Sequence, residues 1–235
     1  MRNALPIARR EIIAYFYSPI AYNVLAVFLF ISGIFFSAGL GEGQANLRGI
    51  FYNMGIVLLF LSPTITMRLM SEEMKMGTIE PLMTAPVTDL EVVVGKFVSG
   101  LGFYIFLLLP TLAYPLMISR VGELEWGAIW SAYLGLVLIG AVYISVGLLI
   151  SALTKDQVVA AVTGFDVLLA LWLLDIITKR GTDWLSDSVR YVTLFYHFDT
   201  FVKGLVDTRD IIFYLSLTVF VLFLCVRVVE ARKWR

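Results

Sequence analysis

The chain has 235 residues, of which 60% are hydrophobic and only 15% are charged, and its formal net charge at pH 7 is zero. Because an ordinary soluble domain is about 25% charged, the composition argues against a soluble protein and indicates a polytopic membrane protein. The zero net charge gives no electrostatic reason to expect nucleic acid as a partner. A lone cysteine, Cys225, excludes an intrachain disulfide, and a lone histidine, His197, excludes a metal cage built from several histidines.

Residues 1–19 predict an interfacial helix, lying in the membrane surface ahead of the first span. Apolar side chains recur on one helical face, and Arg10 and Glu11 point away from it, as in other interfacial helices. Arg9 falls at the edge of this face, where a long side chain can still reach water. The apolar face is formed by Leu5, Ala8, Ile12, Tyr15 and Phe16.

Six apolar runs of about 20 residues each have the length that a helix needs to cross the ~30 Å hydrocarbon core of a bilayer. The longest gap between them is residues 178–210, which is too short for a soluble domain. We therefore predict a single transmembrane domain over residues 1–235. The predicted spans are Ile20–Leu40, Ile50–Arg68, Lys96–Ile118, Ile129–Leu153, Val158–Ile177 and Ile211–Val228.

The distribution of lysine and arginine predicts the orientation, because cytoplasmic loops carry an excess of both. With a cytoplasmic N-terminus, 11 of the 18 basic residues lie in cytoplasmic segments and seven lie outside. Five of those seven fall within residues 178–210, where five aspartates accompany them. We expect both termini, and residues 69–95, on the cytoplasmic side.

Residues 69–95 form a polar island between the second and third spans, with the signals of short capped helices. Ser71 can cap a helix that prolongs the second span and ends at Gly77, a residue suited to a left-handed stop. Further along, Thr88 and Glu91 have the spacing of a capping box, which predicts the start of the third span.

A second short helix is predicted inside the same island, over Ile79–Ala85. Thr78 can cap it, and Pro86 closes it. The island also carries apolar side chains that have no lipid to bury them and too few neighbours for a core, so we expect them to need a groove on another protein. These side chains are Met74, Met76, Leu82 and Met83.

Residues 178–210 predict an amphipathic segment on the outer side of the membrane. Its polar face carries Thr193, His197, Thr200 and Lys203, and we expect His197 to be an interfacial or hydrogen-bonded side chain there. The segment is expected to dip into the outer leaflet or to cover the bundle as a lid. Its apolar face is formed by Tyr191, Phe195, Phe198, Val202 and Leu205.

Two acids lie within the predicted fifth span. Asp166 is near its middle, where an acid costs about 2.5–3.5 kcal/mol on insertion scales, so it is expected to face the bundle or a watery cavity. It either lines a substrate path or gate, or is paired with a hydroxyl such as that of Tyr143 purely for packing. Asp175 lies near the outer end and is interpreted as an interfacial residue.

Small residues at four-residue spacing can mark close approach of helices, although such spacing also arises by chance. It occurs at Gly33, Ser37 and Gly41 in the first span and at Tyr143, Gly147 and Ser151 in the fourth.

No catalytic constellation appears in the sequence. Gly95–Phe97 superficially matches the end of a phosphate-binding loop, but Leu90 stands where the first glycine is needed. Phe97 stands where a serine or threonine must bind magnesium. We therefore expect no ATP, metal or other cofactor to bind this chain.

The island sequence SEEMKMGTIEPLMTAPVTDLEVVVGKF resembles the signature of the permease subunits of ATP-binding-cassette (ABC) exporters of the type-2 family. The shared pattern is an acid pair, Gly-Thr-aliphatic-Glu, a leucine, Pro-Val and an aliphatic-Gly-Lys entry to the next span. REIIAYFYSPIAYNVLAVFLFISGIFF and YHFDTFVKGLVDTRDIIFYLSLT are similar to the gliding-motility-type branch.

The resemblance implies an all-α subunit with six transmembrane helices, an N-terminal interfacial helix, a cytoplasmic coupling helix and short external helices before the last span. It implies a bacterial inner-membrane location, two copies of an ATPase subunit that bind ATP and magnesium, and a second permease, identical or related. An extracytoplasmic partner is a further option. By position, the coupling role falls to Glu72, Glu73, Gly77, Thr78, Ile79, Glu80, Leu82, Met83 and Pro86.

Two other classes of function stay open at this point. One is an ion- or proton-coupled secondary carrier that uses Asp166, although the capped island has no role in it and no inverted repeat of broken helices is evident. The other is a membrane-embedded enzyme or a scaffold without transport, and the lack of a His, Cys or acid cluster argues against the enzyme. An ATPase that co-purifies with the chain would favour the exporter.

Overall fold

The computed structural model describes residues 4–41, 47–77, 88–120, 124–180 and 191–233, and the regular elements in these ranges are helices. They are α1 (Ala4–Phe16), α2 (Pro19–Gly41), α3 (Leu47–Thr66), α4 (Ser71–Met76), α5 (Asp89–Leu108), a 3₁₀ turn (Leu109–Leu112), α6 (Ala113–Ile118), α7 (Trp126–Leu153), α8 (Gln157–Arg180), α9 (Leu194–Val202) and α10 (Thr208–Lys233).

The prediction of six spans is confirmed, because six helical stretches are long and apolar enough to cross a membrane. The third span begins seven residues earlier than predicted, at Asp89, since the capping box forms there. The Glu91 amide donates to Thr88 Oγ1 at 3.3 Å, and the Thr88 amide donates to the Glu91 carboxylate at 3.2 Å. Two of the donors that a helix start leaves open are thereby satisfied.

Helix α7 is the central element of the fold. Its most apolar stretch is 83% buried, and it packs against α3, α5, α8, α9 and α10. Small residues permit this crowding: a Cβ at Gly140 would lie 2.2 Å from the Tyr104 ring, and one at Gly147 would lie 2.1 Å from Thr66 Oγ1. The predicted packing seam on the fourth span is therefore real at Gly147.

The small-residue pattern on the first span does not mark a close helix–helix contact at Gly33. A Cβ added at Gly33 would reach only the Tyr114 hydroxyl, at an ordinary 3.8 Å. Helices α2, α8 and α10 are peripheral, and less than a third of each apolar stretch is buried. Their exposed apolar side chains form a surface suited to contact with lipid or with another protein.

Helix α1 packs on α5, and this corrects its predicted apolar face. Leu5, expected on that face, is 79% exposed, whereas Ile7 is buried together with Ala8. The two aromatic residues at its end contact the third span: Tyr15 stacks on Phe103 with ring centroids 4.9 Å apart. Much of the predicted lipid-facing stripe is thus used for packing inside the protein, and less remains for the membrane surface.

Helix α9 covers the end of the bundle, as the lid alternative predicts, and it packs against α3, α7 and α8. The predicted division into apolar and polar faces is confirmed only in part. Phe195, Phe198 and Val202 are buried and Lys203 is exposed, as expected. Thr193 and His197 of the predicted polar face are also buried, while Tyr191 and Leu205 of the predicted apolar face are exposed. The expected partner helix of this external pair would fall in residues 181–190, which lie outside the described residues.

Candidate functional site

The second span is interrupted between α3 and α4, at residues 67–70, which we call the joint. An interruption leaves backbone donors and acceptors without their helical partners. Ser151, near the end of α7, replaces several of them. Its Oγ accepts the amide protons of Met70 (3.0 Å) and Ser71 (3.1 Å) and donates to the Met67 carbonyl (3.1 Å).

This arrangement corrects the predicted role of Ser71. The residue before α4, Met70, makes no side-chain cap, and Ser71 is the first helical residue. Its hydroxyl donates to the Met67 carbonyl, and its own amide donates to Ser151 Oγ, so Ser71 lies inside the first turn and does not cap it. The end of the helix is as predicted: Gly77 adopts a left-handed conformation with φ of 70°.

Lys96 supports the joint from the opposite side. It belongs to the first turns of α5, and its side chain is only 1% exposed. Its ammonium donates to the Leu69 carbonyl and to Glu11 Oε1, at 3.4 Å for the latter, and lies 2.8 Å from Glu73 Oε2. A buried charge is costly unless it is paired, and these three contacts provide the pairing.

Arg10 completes a neutral cluster of four charges with Lys96, Glu11 and Glu73. Its guanidinium lies 2.8 Å from each of the two carboxylates. The hydrogen bond with Glu11 raises the pKa of Arg10, against the opposing effect of partial burial. Two positive and two negative charges therefore balance where α1, α4 and α5 meet.

A second, more open pair lies beside this cluster. Arg68 Nε is 2.8 Å from Glu72 Oε2, and its Nη1 donates to Ser18 Oγ at 2.6 Å. A cavity of about 50 Å³ between Glu11, Arg68 and Glu72 is large enough to admit water. Tyr15, at its edge, donates to the Ile65 carbonyl at 2.7 Å, and burial raises the pKa of its hydroxyl.

Comparison with known protein families assigns the chain to one family. The model of the ABC-2 family transporter proteins matches residues 43–229. The chain belongs to this family. A search of curated proteins finds no match. The protein is thus a multi-pass membrane protein of the ABC-2 transporter family, and the family match includes the joint, residues 69–95 and nearly all of the spans after the first.

The structure describes three of the nine residues that the resemblance assigns to coupling in this ABC-2 protein. Glu72 and Glu73 lie in the charge clusters of α4, and Gly77 ends that helix. Met74, expected to need another protein, is buried in its own chain against residues such as Leu69, whereas Met76 is 61% exposed. The other six lie outside the described residues: Thr78, Ile79, Glu80, Leu82, Met83 and Pro86.

The two residues proposed for a substrate path are not brought together. Asp166 is exposed on the outer side of α8, so it does not face the interior of its own chain, whereas Tyr143 is fully buried in α7. The pairing of the two, which was the alternative to a substrate path, is absent from the part of the chain that the structure describes, where the Tyr143 hydroxyl makes no hydrogen bond.

Asp175, Asp210 and His197 are buried. His197 is hydrogen-bonded, which is one of the two alternatives predicted for it, whereas the interfacial interpretation of Asp175 is wrong. Asp175, interpreted as interfacial, is fully buried and accepts a hydrogen bond from Thr193 Oγ1 at 3.2 Å. His197 Nδ1 lies 2.6 Å from Asp210 Oδ1, and its Nε2 lies 2.9 Å from the Tyr191 carbonyl. These bonds fasten α9 to α10. Within the described ranges, no group of three or more His, Cys, Asp or Glu residues could hold a metal ion.

Sequence reasoning missed Lys96, Ser151 and Glu11 as members of this site. Lys96 carried a signal, since a lysine inside an apolar helical run must find a buried partner or reach water. Ser151 was noted only as a small residue suited to close packing. Its hydrogen-bonding role depends on a contact with residues some 80 positions earlier in the chain.

We predict that Ser151→Ala destabilises the protein, because two buried amides at the joint lose their acceptor at about 1–3 kcal/mol per unsatisfied group. Ser145→Ala is the matched control: Ser145 is fully buried in the same helix but donates only to Val142 in its own helix. Thermal unfolding of the purified proteins in detergent should show a lower midpoint for Ser151→Ala alone. Equal midpoints would contradict the role of Ser151 at the joint.

Proposed function

We propose that the chain is the permease subunit of an ABC exporter in the bacterial inner membrane, driven by a separate ATPase that binds ATP and magnesium. The observation that carries this proposal is the rigid support of α4. This six-residue helix is too short to be stable alone, yet it is fixed by Ser151, by the buried Lys96 and by the left-handed stop at Gly77.

A transport subunit without its own ATPase needs an element that receives movement from outside the membrane and passes it to the spans. Helix α4 continues the second span, and its ion pairs join it to α1 and α5. A push on residues 69–95 would therefore displace several helices together. We propose the coupling role for Glu72, Glu73 and Gly77 on this ground. For the rest of the coupling set, Thr78, Ile79, Glu80, Leu82, Met83 and Pro86, the support is the family membership and the sequence pattern.

Asp166 supports the presence of a second permease or a watery path beside α8. The acid is exposed near the middle of an apolar helix, with exposed Val162 and Val167 close by. Facing lipid at that depth would cost about 2.5–3.5 kcal/mol. We propose that a second copy, or a related chain, covers this face and that Asp166 lines the substrate path. For Tyr143, buried in α7, a place on that path has only the sequence pattern as support. The similarity of the two terminal segments to the gliding-motility-type branch supports membership of the chain in that branch, but it does not assign a substrate.

The proposed orientation predicts that exposed residues at the two ends of the bundle are accessible from opposite sides. Single cysteines are placed at Lys75 in α4 and at Leu205 after α9, both exposed, in a background in which the buried Cys225 is changed to alanine. An impermeant thiol reagent applied to intact cells should label the Leu205 position only. Labelling of both positions from the outside would refute the proposed topology.

The coupling role predicts that Leu82→Arg weakens ATPase docking. Loss of a seated leucine forfeits about 1.5–3 kcal/mol of burial, which corresponds to a roughly 10- to 150-fold weaker complex, and the new charge adds a desolvation cost. The permease itself should insert and unfold as the wild type does. The measurement is recovery of the ATPase with the tagged permease.

Gln157→Arg is the control for that experiment, because it adds the same charge at the start of α8, outside the coupling segment. The control should recover the ATPase normally. Normal recovery with Leu82→Arg as well would mean that the docking surface lies elsewhere.

The substrate-path proposal predicts that Asp166→Asn changes the ATPase activity of the assembled complex while its assembly stays normal. Removing the charge alters an intramembrane contact but leaves the coupling segment intact. Thr163→Val, at an exposed neighbouring position on α8, is the control and should leave the activity unchanged. Wild-type activity of Asp166→Asn would leave Asp166 without a functional role.

A further inference from the structure

Lys96 contacts three separate segments at once, and this sets it apart from the other lysines that the structure describes. From α5, its ammonium reaches Glu11 of α1, the Leu69 carbonyl of the joint and Glu73 of α4. An ammonium has three N–H donors and no acceptor. The contacts with Glu11, the Leu69 carbonyl and Glu73 therefore use all three donors. No element can leave this cluster without leaving the buried charge short of a partner.

Two further contacts join the same elements. Arg10 of α1 bridges Glu11 and Glu73, at 2.8 Å to each carboxylate. Near the start of α1, the backbone of α5 approaches very closely: a Cβ at Gly95 would lie 2.9 Å from the Ala4 carbonyl oxygen. Helix α1 is thus held to α4 by charge and to α5 by close packing, as well as by the aromatic contacts of its C-terminal end.

We propose that α1, α4 and the first turns of α5 move as one rigid unit, with Lys96 as the positioning residue that carries a displacement of α4 to the N-terminal helix. Movement of α1 along the membrane surface would then accompany each cycle of the ATPase. The link to the ATPase rests on the proposed function, whereas the rigidity of the unit is a property of this chain alone.

The test measures distances between spin labels in the complex of the permease with its ATPase, without nucleotide and with trapped ATP and vanadate. One label pair joins α1 to α4, at Ile13 and Met76, and a reference pair joins α4 to α8, at Met76 and Val158. All three positions are exposed. Cysteines replace them in the background with Cys225 changed to alanine.

In the otherwise unchanged protein, the distance between positions 13 and 76 should be narrow and equal in both states, while the distance between 76 and 158 should shift. Lys96→Met keeps the length and apolar stem of the side chain but removes the charge, and it should broaden the first distance. Lys75→Met is the matched control, since Lys75 is an exposed lysine of α4. It should leave both distances unchanged.

A double variant, Lys96→Met with Glu73→Gln, separates positioning from simple charge balance. It leaves no buried charge without a partner, so the thermal midpoint lost in Lys96→Met should be largely regained. The distance between positions 13 and 76 should nevertheless stay broad, because the link itself is missing. Narrowing of that distance together with the recovery of stability would show that Lys96 only balances charge, and would overturn the proposal.

The proposal is also overturned if the distance between positions 13 and 76 shifts on trapping as much as the reference distance, or if it stays narrow in Lys96→Met. Two other results would count against the proposed function instead. One is that the ATPase fails to bind, and the other is that the distance between positions 76 and 158 is the same with and without nucleotide. In that case the comparison of Lys96→Met with Lys75→Met in the permease alone still decides whether the unit is rigid.

Discussion

A helix that breaks where its backbone is buried in protein must have its lost backbone hydrogen bonds replaced, because an unpaired buried amide or carbonyl is costly. The joint between α3 and α4 meets this constraint with two side chains from distant parts of the sequence. Ser151 of α7 accepts hydrogen bonds from two backbone amides and donates one to a carbonyl, and Lys96 of α5 donates one to another carbonyl. The positions of α4, α1 and the start of α5 all depend on this replacement, since the charges that hold them surround the same joint.

The central place of α7 has a related physical cause. Ser151 can reach the joint only because α7 runs close beside α3, and that approach depends on Gly147, where any side chain would collide with Thr66. A single helix therefore provides the tight packing in the middle of the bundle and the polar contact at its end. The packing seam and the support of the joint are two parts of one arrangement, four residues or about one turn apart.

The spans, their order and the capping box could be predicted because each depends on neighbouring residues: a long apolar run, or a threonine three residues before a glutamate. The contacts of the joint could not, since Lys96 meets Glu11 from 85 residues away and Ser151 meets Met70 from 81. The same limit explains the errors at Met74 and Asp175. Met74 belongs to a cluster that includes Leu148 and Val229, and Asp175 accepts a hydrogen bond from Thr193 in a later segment, so local patterns carry no information about either.

Lys96 and Asp166 show how the chain treats charge in two different places. Lys96 is almost fully buried, yet its own chain supplies every contact that the ammonium needs. Asp166 has no hydrogen bond or ion pair among the described residues and remains exposed at the middle of α8. Because the chain provides partners for its buried lysine, an acid without a partner on an apolar helix requires a separate explanation. Asp166 therefore leaves an unpaired charge on an exposed apolar face, and this is the face that we propose a second permease covers.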